Sequence, residues 1–423
     1  MSKINKIWAR QILDSRGIPT VEAACQLDTG EVAVSSVPGG TSTGTYEALE
    51  LRDQDPNEYM GKGVKKAVQN VNDILGPGVW GFDVNDQEKI DVKLIELDGT
   101  KNKSKYGANA ILAVSKVVAK SAALANKQPL YLWISTIAKK LGVETNFTVP
   151  TPIFNMINGG LHGAGNLDFQ EFHLIPTASK NFHDSLRSAV EIYMTLGKDL
   201  ERRGAVHSVG DEGGYAPNLF TNADALEVLY ESIKQTPYQI GRDVFMGLDV
   251  AASVFFKSGE YVIRDKSAPL KNTELMDYYK SINDQYHLAL LEDAFHEDDW
   301  ESWKKLREVF GDQVAIVGDD LLATNPERVQ KAIDEKACNA ILVKPNQVGT
   351  ITETLKVIKM ARDAGWKVVT SHRSGETNDW FIADFAVGVG SDYVKFGAPA
   401  RGERVVKYNR LLSIEVELLQ RQK

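Results

Sequence analysis

Apolar positions along the chain change their spacing twice. Residues 20–27 and 31–37 are apolar, β-leaning runs joined by Asp28-Thr29-Gly30, a tripeptide suited to a hairpin turn. A polar, glycine-rich stretch, Pro38-Gly39-Gly40-Thr41-Ser42-Thr43-Gly44, follows. Apolar residues then recur at helical spacing over 63–75, 85–97 and 107–125. The last of these is rich in alanine, with Ala108, Ile111, Leu112, Val118, Ala119 and Ala122 in the repeating positions. Strands followed by helices predict an α+β unit, and Val149-Pro150-Thr151-Pro152 is a plausible boundary after it. From about residue 244 short apolar strands (244–248, 288–291, 315–317, 340–343, 367–370, 393–394) alternate with helical stretches (273–282, 299–309, 326–336, 351–364, 379–387). The later strand ends recur about every 25 residues, a period that fits a β/α barrel or a doubly wound sheet. No GxGxxG follows a strand, which counts against a dinucleotide fold.

Composition narrows this picture without redirecting it. A chain of 423 residues fits roughly two domains. With 49 basic and 57 acidic side chains the net charge is −8, which argues against a nucleic-acid partner. The two cysteines, Cys25 and Cys338, form neither a metal-type spacing nor a disulfide framework. The N-terminal residues have no apolar signal core, and the apolar tract from Ala108 is interrupted by Asn, Ser and Lys. The expectation is a soluble, cytoplasmic protein with no membrane or nucleic-acid partner.

The candidate chemistry lies at the strand ends. In order these carry Asp249, Glu292, Asp319, Lys344, then His372-Arg373-Ser374, and Lys395. In a barrel the carboxyl ends of the strands converge on one mouth, where active sites sit. A single Asp after a strand is usually a turn or helix cap, but capping does not call for acids and then bases at successive ends. Three carboxylates without a Cys or His pair suit a hard cation such as Mg2+, which keeps few protein ligands. Lysine and arginine on the same mouth bind carboxylate or phosphate. The set therefore suits an anionic substrate held by metal, with proton abstraction beside a carboxylate. A lysine base must be neutral, so the second lysine and the cations are expected to push its pKa below the ordinary value of about 10.4. Further acids lie in Asp168-Phe169-Gln170-Glu171-Phe172 and in Gly210-Asp211-Glu212-Gly213-Gly214, and Asn158-Gly159-Gly160-Leu161-His162 precedes them. Such loop acids are solvated turns or, paired across a pocket, acid–base groups.

Longer strings carry a family resemblance. They include Ala9-Arg10-Gln11-Ile12-Leu13-Asp14-Ser15-Arg16-Gly17, Ser42-Thr43-Gly44-Thr45-Tyr46-Glu47-Ala48-Leu49-Glu50, Gly247-Leu248-Asp249-Val250-Ala251-Ala252-Ser253, Ser371-His372-Arg373-Ser374-Gly375-Glu376-Thr377 and Gly397-Ala398-Pro399-Ala400-Arg401-Gly402-Glu403-Arg404. Over residues 9 to 412 the chain resembles enolase. The resemblance implies a small N-terminal α+β cap domain (1–140) and a modified β/α, TIM-like barrel (141–423). It implies a lyase that dehydrates 2-phosphoglycerate to phosphoenolpyruvate in glycolysis through an enediolate. Lysine or histidine bases working with magnesium are a known pattern of enolase-superfamily sites. Carried over by residue, Lys344 is the base, Glu212 the acid with Glu171 beside it, and Asp249, Glu292 and Asp319 hold the first Mg2+. Lys395 binds the carboxylate end, Arg373 and Ser374 with His372 lie at the phosphate, and Gln170 and His162 lie near the substrate. Two Mg2+ sites and a homodimer or larger homo-oligomer are implied.

Some positions depart from the family pattern. Gly39-Gly40-Thr41 stands where a Ser-Gly-Ala is usual, so the second Mg2+ site keeps only the backbone carbonyl of Gly39 and is expected to be weaker. Ile18, Val254 and Phe396 replace a usual Asn, Glu and Thr, and Asp293 is not followed by the common Pro. The Gly39 to Gly44 segment lacks the lysine and helix start of a P-loop and reads better as a lid. A related enzyme acting on another acid sugar, and a non-catalytic binding role through Lys423, are the competing readings.

Overall fold

The computed structural model describes residues 2–40, 44–163, 165–311 and 313–421. Thr41 and Lys423 lie outside the described residues. The chain opens with an antiparallel meander of β1 (Ile4–Leu13), β2 (Pro19–Leu27) and β3 (Val32–Ser36), with β2 central. The Asp28-Thr29-Gly30 turn closes as expected, Gly30 taking a φ of +98° that favours glycine. β1 carries Lys6, Arg10 and Gln11 among its apolar residues, which hid it from the hydrophobic pattern. Val21, Ala23, Cys25 and Leu27 alternate along β2 and are all buried. Helix Ala108–Ala125 packs on β2 and β3. Its length and hydropathy alone would pass for a membrane span, but 83% of it is buried inside the protein. The helix expected over 63–75 breaks into Lys65–Asn70 and a π-turn, Val71–Leu75. Asn72 in that turn accepts from the Ala9 N–H (2.7 Å) and donates to its carbonyl (3.3 Å), capping the outer edge of β1.

Eight strands then close a barrel. They are β4 (Thr151–Asn158), β5 (Glu171–Pro176), β6 (Val244–Asp249), β9 (Leu288–Glu292), β10 (Ala315–Gly318), β11 (Ala340–Val343), β12 (Lys367–Ser371) and β13 (Tyr393–Lys395). A small hairpin, β7 (Phe256–Lys257) and β8 (Glu260–Tyr261), lies outside it. The ring order β10-β11-β12-β13-β4-β5-β6-β9 rules out the doubly wound alternative. Thr151 and Pro152, expected at a boundary, are the first residues of β4. β5 is antiparallel to both neighbours, β4 and β6. The reason is local: only a short loop with one 3-10 turn, Gly160–His162, joins β4 to β5, too little chain for a crossover helix.

The barrel interior begins with Ile153, Ile175, Leu290, Val317, Ala340, Leu342 and Val369, a small apolar plug. Side chains two residues further along a strand point the same way. Thus Glu292 follows Leu290, Asp319 follows Val317, Lys344 follows Leu342 and Ser371 follows Val369 into the interior at the mouth.

The N-terminal part is bonded to this mouth and to the barrel wall. Ser115 accepts from the N–H of Ile351 (3.0 Å), and Asp91 accepts from Thr352 N (2.9 Å) and Oγ1 (2.6 Å), at the start of barrel helix Ile351–Asp363. Asp379, beyond β12, bonds Ser35 Oγ (2.6 Å), Ser36 N (2.9 Å) and Lys120 (2.6 Å). Gly375 exchanges backbone hydrogen bonds with Gly39. A Cβ at 375 would lie 2.2 Å from the side-chain ends of Asp14 and Arg16, so a larger residue there would have to displace that ion pair.

Candidate active site

A cavity of about 240 Å3 sits at the barrel mouth beneath the N-terminal part. Its walls bring together eleven of the thirteen site residues read from the sequence: His162, Gln170, Glu171, Glu212, Asp249, Asp319, Lys344, His372, Arg373, Ser374 and Lys395. Glu292 sits just behind the wall, fully buried. Gly39 does not join them. Its carbonyl accepts from Gly375 N (2.9 Å) and Arg16 Nη2 (3.2 Å), so both lone pairs point away from the carboxylates. In this conformation those hydrogen bonds hold it at the barrel's rim.

Two lysines organise the acids. Lys395 Nζ lies 2.9 Å from Asp249, 2.9 Å from Glu292 and 3.2 Å from Glu171. Lys344 Nζ is bonded to Asp319. Asp319 also gathers with Asp293 and Asp320, their oxygens within 4.8 Å of one another. Burial and the negative charge of Asp249 push Glu292 well above the usual carboxylate range, despite Lys395. Burial and Asp319 push Asp320 up to about 7. Lys395 itself is held well above its ordinary value: burial opposes this, but Asp249, Glu171 and Glu292 outweigh it. The cavity is therefore short of positive charge. An all-oxygen donor set with unmet negative charge fits a hard dication, and Asp249, Glu292 and Asp319 would be its carboxylates.

Lys344 is pulled in both directions. Burial, Arg373 and Lys395 push its pKa down as anticipated, but the Asp319 carboxylate raises it above the ordinary lysine value. Asp319 is thus both an expected metal ligand and the group that keeps Lys344 protonated.

The acids on the other side form a second cluster. Glu171 is the first residue of β5, yet it pairs in register with Asp249, the last residue of β6. Only the reversed direction of β5 brings its start to the mouth. His162 Nδ1 lies 3.3 Å from Glu171 and 3.5 Å from Glu212, and His173 Nε2 lies 2.8 Å from Glu171. His372 Nε2 is 3.4 Å from Glu212, and Asn155 donates to Glu212 (3.2 Å). Burial and Glu171 push Glu212 up, but His162 and His372 hold it down at about 2. His162 is raised: burial opposes this and Glu212 and Glu171 overcome it. Arg404, fully buried, donates to His372 Nδ1 (2.6 Å) and to the carbonyls of Arg373 and Asp211. Arg373 itself forks onto Glu47, with Nη1 2.9 Å and Nη2 3.2 Å from its two oxygens. Ser374 Oγ accepts from Arg16 (3.5 Å).

Residues 4–134 match the family model described as the enolase N-terminal domain, and 146–423 match the enolase C-terminal TIM barrel domain. The chain belongs to the enolase family. With membership come a lyase of the enolase type, an Mg2+-dependent dehydration and a small-molecule substrate. Sequence reading gave no role to Glu47, Asn155, His173, Asp293, Asp320 or Arg404, although Glu47 and Arg404 stand inside the strings that carry the resemblance. Asn155 and His173 lie on β4 and β5, strands the periodicity did not predict.

Proposed function

We propose that the protein interconverts 2-phosphoglycerate and phosphoenolpyruvate, as in glycolysis. The observation that carries this is the placing of a lysine and a carboxylate cluster on opposite walls of one cavity. In the eight-strand ring β11, which leads to Lys344, lies four strands from β5, which begins with Glu171. A base and an acid facing each other across the substrate suit removal of a proton and a hydroxyl from opposite faces of a two-carbon unit.

In this reading Lys344 takes the C2 proton. Mg2+, when bound by Asp249, Glu292 and Asp319, supplies positive charge to the substrate carboxylate as it becomes more negative. Lys344 must first release its own proton to solvent; Asp319, were it to hold the metal, would no longer raise the Lys344 pKa and so would ease that release. Lys395 stays charged and binds the carboxylate end. Glu212 delivers a proton to the departing 3-hydroxyl. It stands ionised in the free cavity, so it must first gain that proton, and His162, 3.5 Å away, is the neighbouring source. Glu171 holds His162 beside it, and Gln170 orients Asp249 through a 3.2 Å hydrogen bond. Arg373, Ser374 and His372 line the phosphate end. A second Mg2+ binds more weakly than the first, because residue 39 offers no hydroxyl. The cap at 1–140 covers the barrel at 141–423, and the working form is a cytoplasmic homodimer or larger assembly.

The test mixes the purified protein with 2-phosphoglycerate and Mg2+ and follows phosphoenolpyruvate by its ultraviolet absorbance. Formation that stops on adding a chelator is the expected result. Folded protein that makes no product at saturating Mg2+ would overturn the proposal and turn attention to other acid substrates.

A further inference from the structure

We infer that Glu47 is an internal stand-in for the substrate's phosphate, holding Arg373 until an anion displaces it. This rests on the reading of Arg373 as a phosphate-binding residue.

The geometry is that of anion recognition. A guanidinium fork engaging two oxygens of one acceptor is how arginine binds carboxylate and phosphate alike. Glu47 fills that fork with both oxygens, at 2.9 Å and 3.2 Å. Both side chains are 5% exposed, so the pair is cut off from water. Both residues also line the cavity, so the pair stands where a ligand arrives. An incoming phosphate must take some of the same N–H groups, and a second anion beside Glu47 would meet like charge.

Glu47 is also wired to the neighbouring segment. Its Oε1 accepts from N of Gly44 (3.1 Å), the last residue of the glycine-rich stretch, and from Gln347 Nε2 (3.3 Å). Gln347 in turn donates to Asp319 (3.3 Å). Tyr46, next in sequence, is anchored independently: its hydroxyl donates to Asp298 (2.9 Å) and its ring stacks under Arg328 (3.7 Å). Tyr46 therefore stays while the Glu47 side chain releases Arg373, and any shift of its Oε1 alters the hydrogen bond from Gly44 N. Displacing Glu47 passes the arrival of an anion to the Gly44 backbone. In this scheme Glu47 is a positioning residue, acting through Arg373.

The experiment measures inorganic phosphate binding by calorimetry for the wild type, Glu47→Gln and Arg373→Gln, each checked for folding by circular dichroism. Removing the competing charge is expected to tighten phosphate binding about tenfold in Glu47→Gln, a gain that loss of a merely structural contact would not produce. Unchanged or weaker binding in Glu47→Gln, with binding lost in Arg373→Gln, overturns the role of Glu47 while leaving Arg373 at the phosphate. Wild-type-like binding in Arg373→Gln overturns the phosphate reading itself. Should Glu47→Gln fail to fold, hydrogen exchange on the wild type decides. Phosphate at saturation is expected to change the exchange of the Gly44 amide, and no change there overturns the inference.

Discussion

Lys344 and Asp319 show how one contact sets the state of a reactive group. The Asp319 carboxylate, 9% exposed, raises the Lys344 pKa above its ordinary value, so engaging that carboxylate elsewhere removes one obstacle to proton acceptance. Replacing Lys344 with alanine is expected to lower kcat about a thousandfold or more, with the circular dichroism spectrum of the folded wild type retained. Loss of turnover accompanied by unfolding would make the lysine structural instead. Gly39 gives a prediction of opposite sign. A Cβ there meets only the flexible ends of Glu50 (3.3 Å), Arg52 (3.5 Å) and Arg16 (3.6 Å). Gly39→Ser should therefore fold and strengthen the weaker Mg2+ site, read by calorimetric titration with substrate present. A titration in which the wild type already shows two equally tight sites would remove the basis for this expectation.

Among the elements, the parallel barrel strands were legible because each alternates into the interior and ends on a charge. Leu290 and Glu292, Val317 and Asp319, and Leu342 and Lys344 are read off the chain two at a time. The first two barrel strands were not legible. β4 and β5 are buried along nearly their whole length, so they show no polar alternation, and Pro152 in β4 resembled a linker. Glu171 was read only as an acid in a loop, solvated or paired across a pocket, since a residue that begins a strand has no reason to reach the mouth unless the strand is reversed. The β4–β5 loop that forces this reversal is tightly built. A Cβ on Gly159 would lie 2.2 Å from the Phe169 carbonyl oxygen and 2.7 Å from Leu167. Gly159→Ala should displace His162 and Glu171 and lower kcat/KM about a hundredfold, while the melting temperature changes far less than for a plug substitution such as Leu342→Ala. Retained kcat/KM would show that the loop tolerates the shift.

At the scale of the whole molecule, the join between cap and barrel rests on charge as well as packing. Burial pushes the Asp379 carboxyl up, but Lys120, Lys116 and the serine hydrogen bond hold it well below the usual carboxylate range. A depressed folded-state pKa contributes stability that is full above the unfolded value of about 3.9 and is lost as pH falls below it. Asp379→Asn is expected to cost about 3–5 kcal/mol at pH 7, because Lys120 and Lys116 lose their buried partner. Melting temperatures taken across pH should show the gap between wild type and variant closing below about pH 4. A gap that stays constant with pH would assign the effect to packing.

The helix Ala108–Ala125 has a consequence in time. Its partner on the barrel side, Ile351, comes far later in the sequence; the Ser115–Ile351 bond spans 236 positions. At translation speeds of about 5–20 residues per second, the barrel-facing side of this helix waits roughly 10–50 s for its partner, while β2 and β3, made before it, can already cover the other side. Through that interval the face that will meet the barrel stays open to the ribosome's surroundings, so the chain carries an exposed apolar surface before most of the barrel has been made.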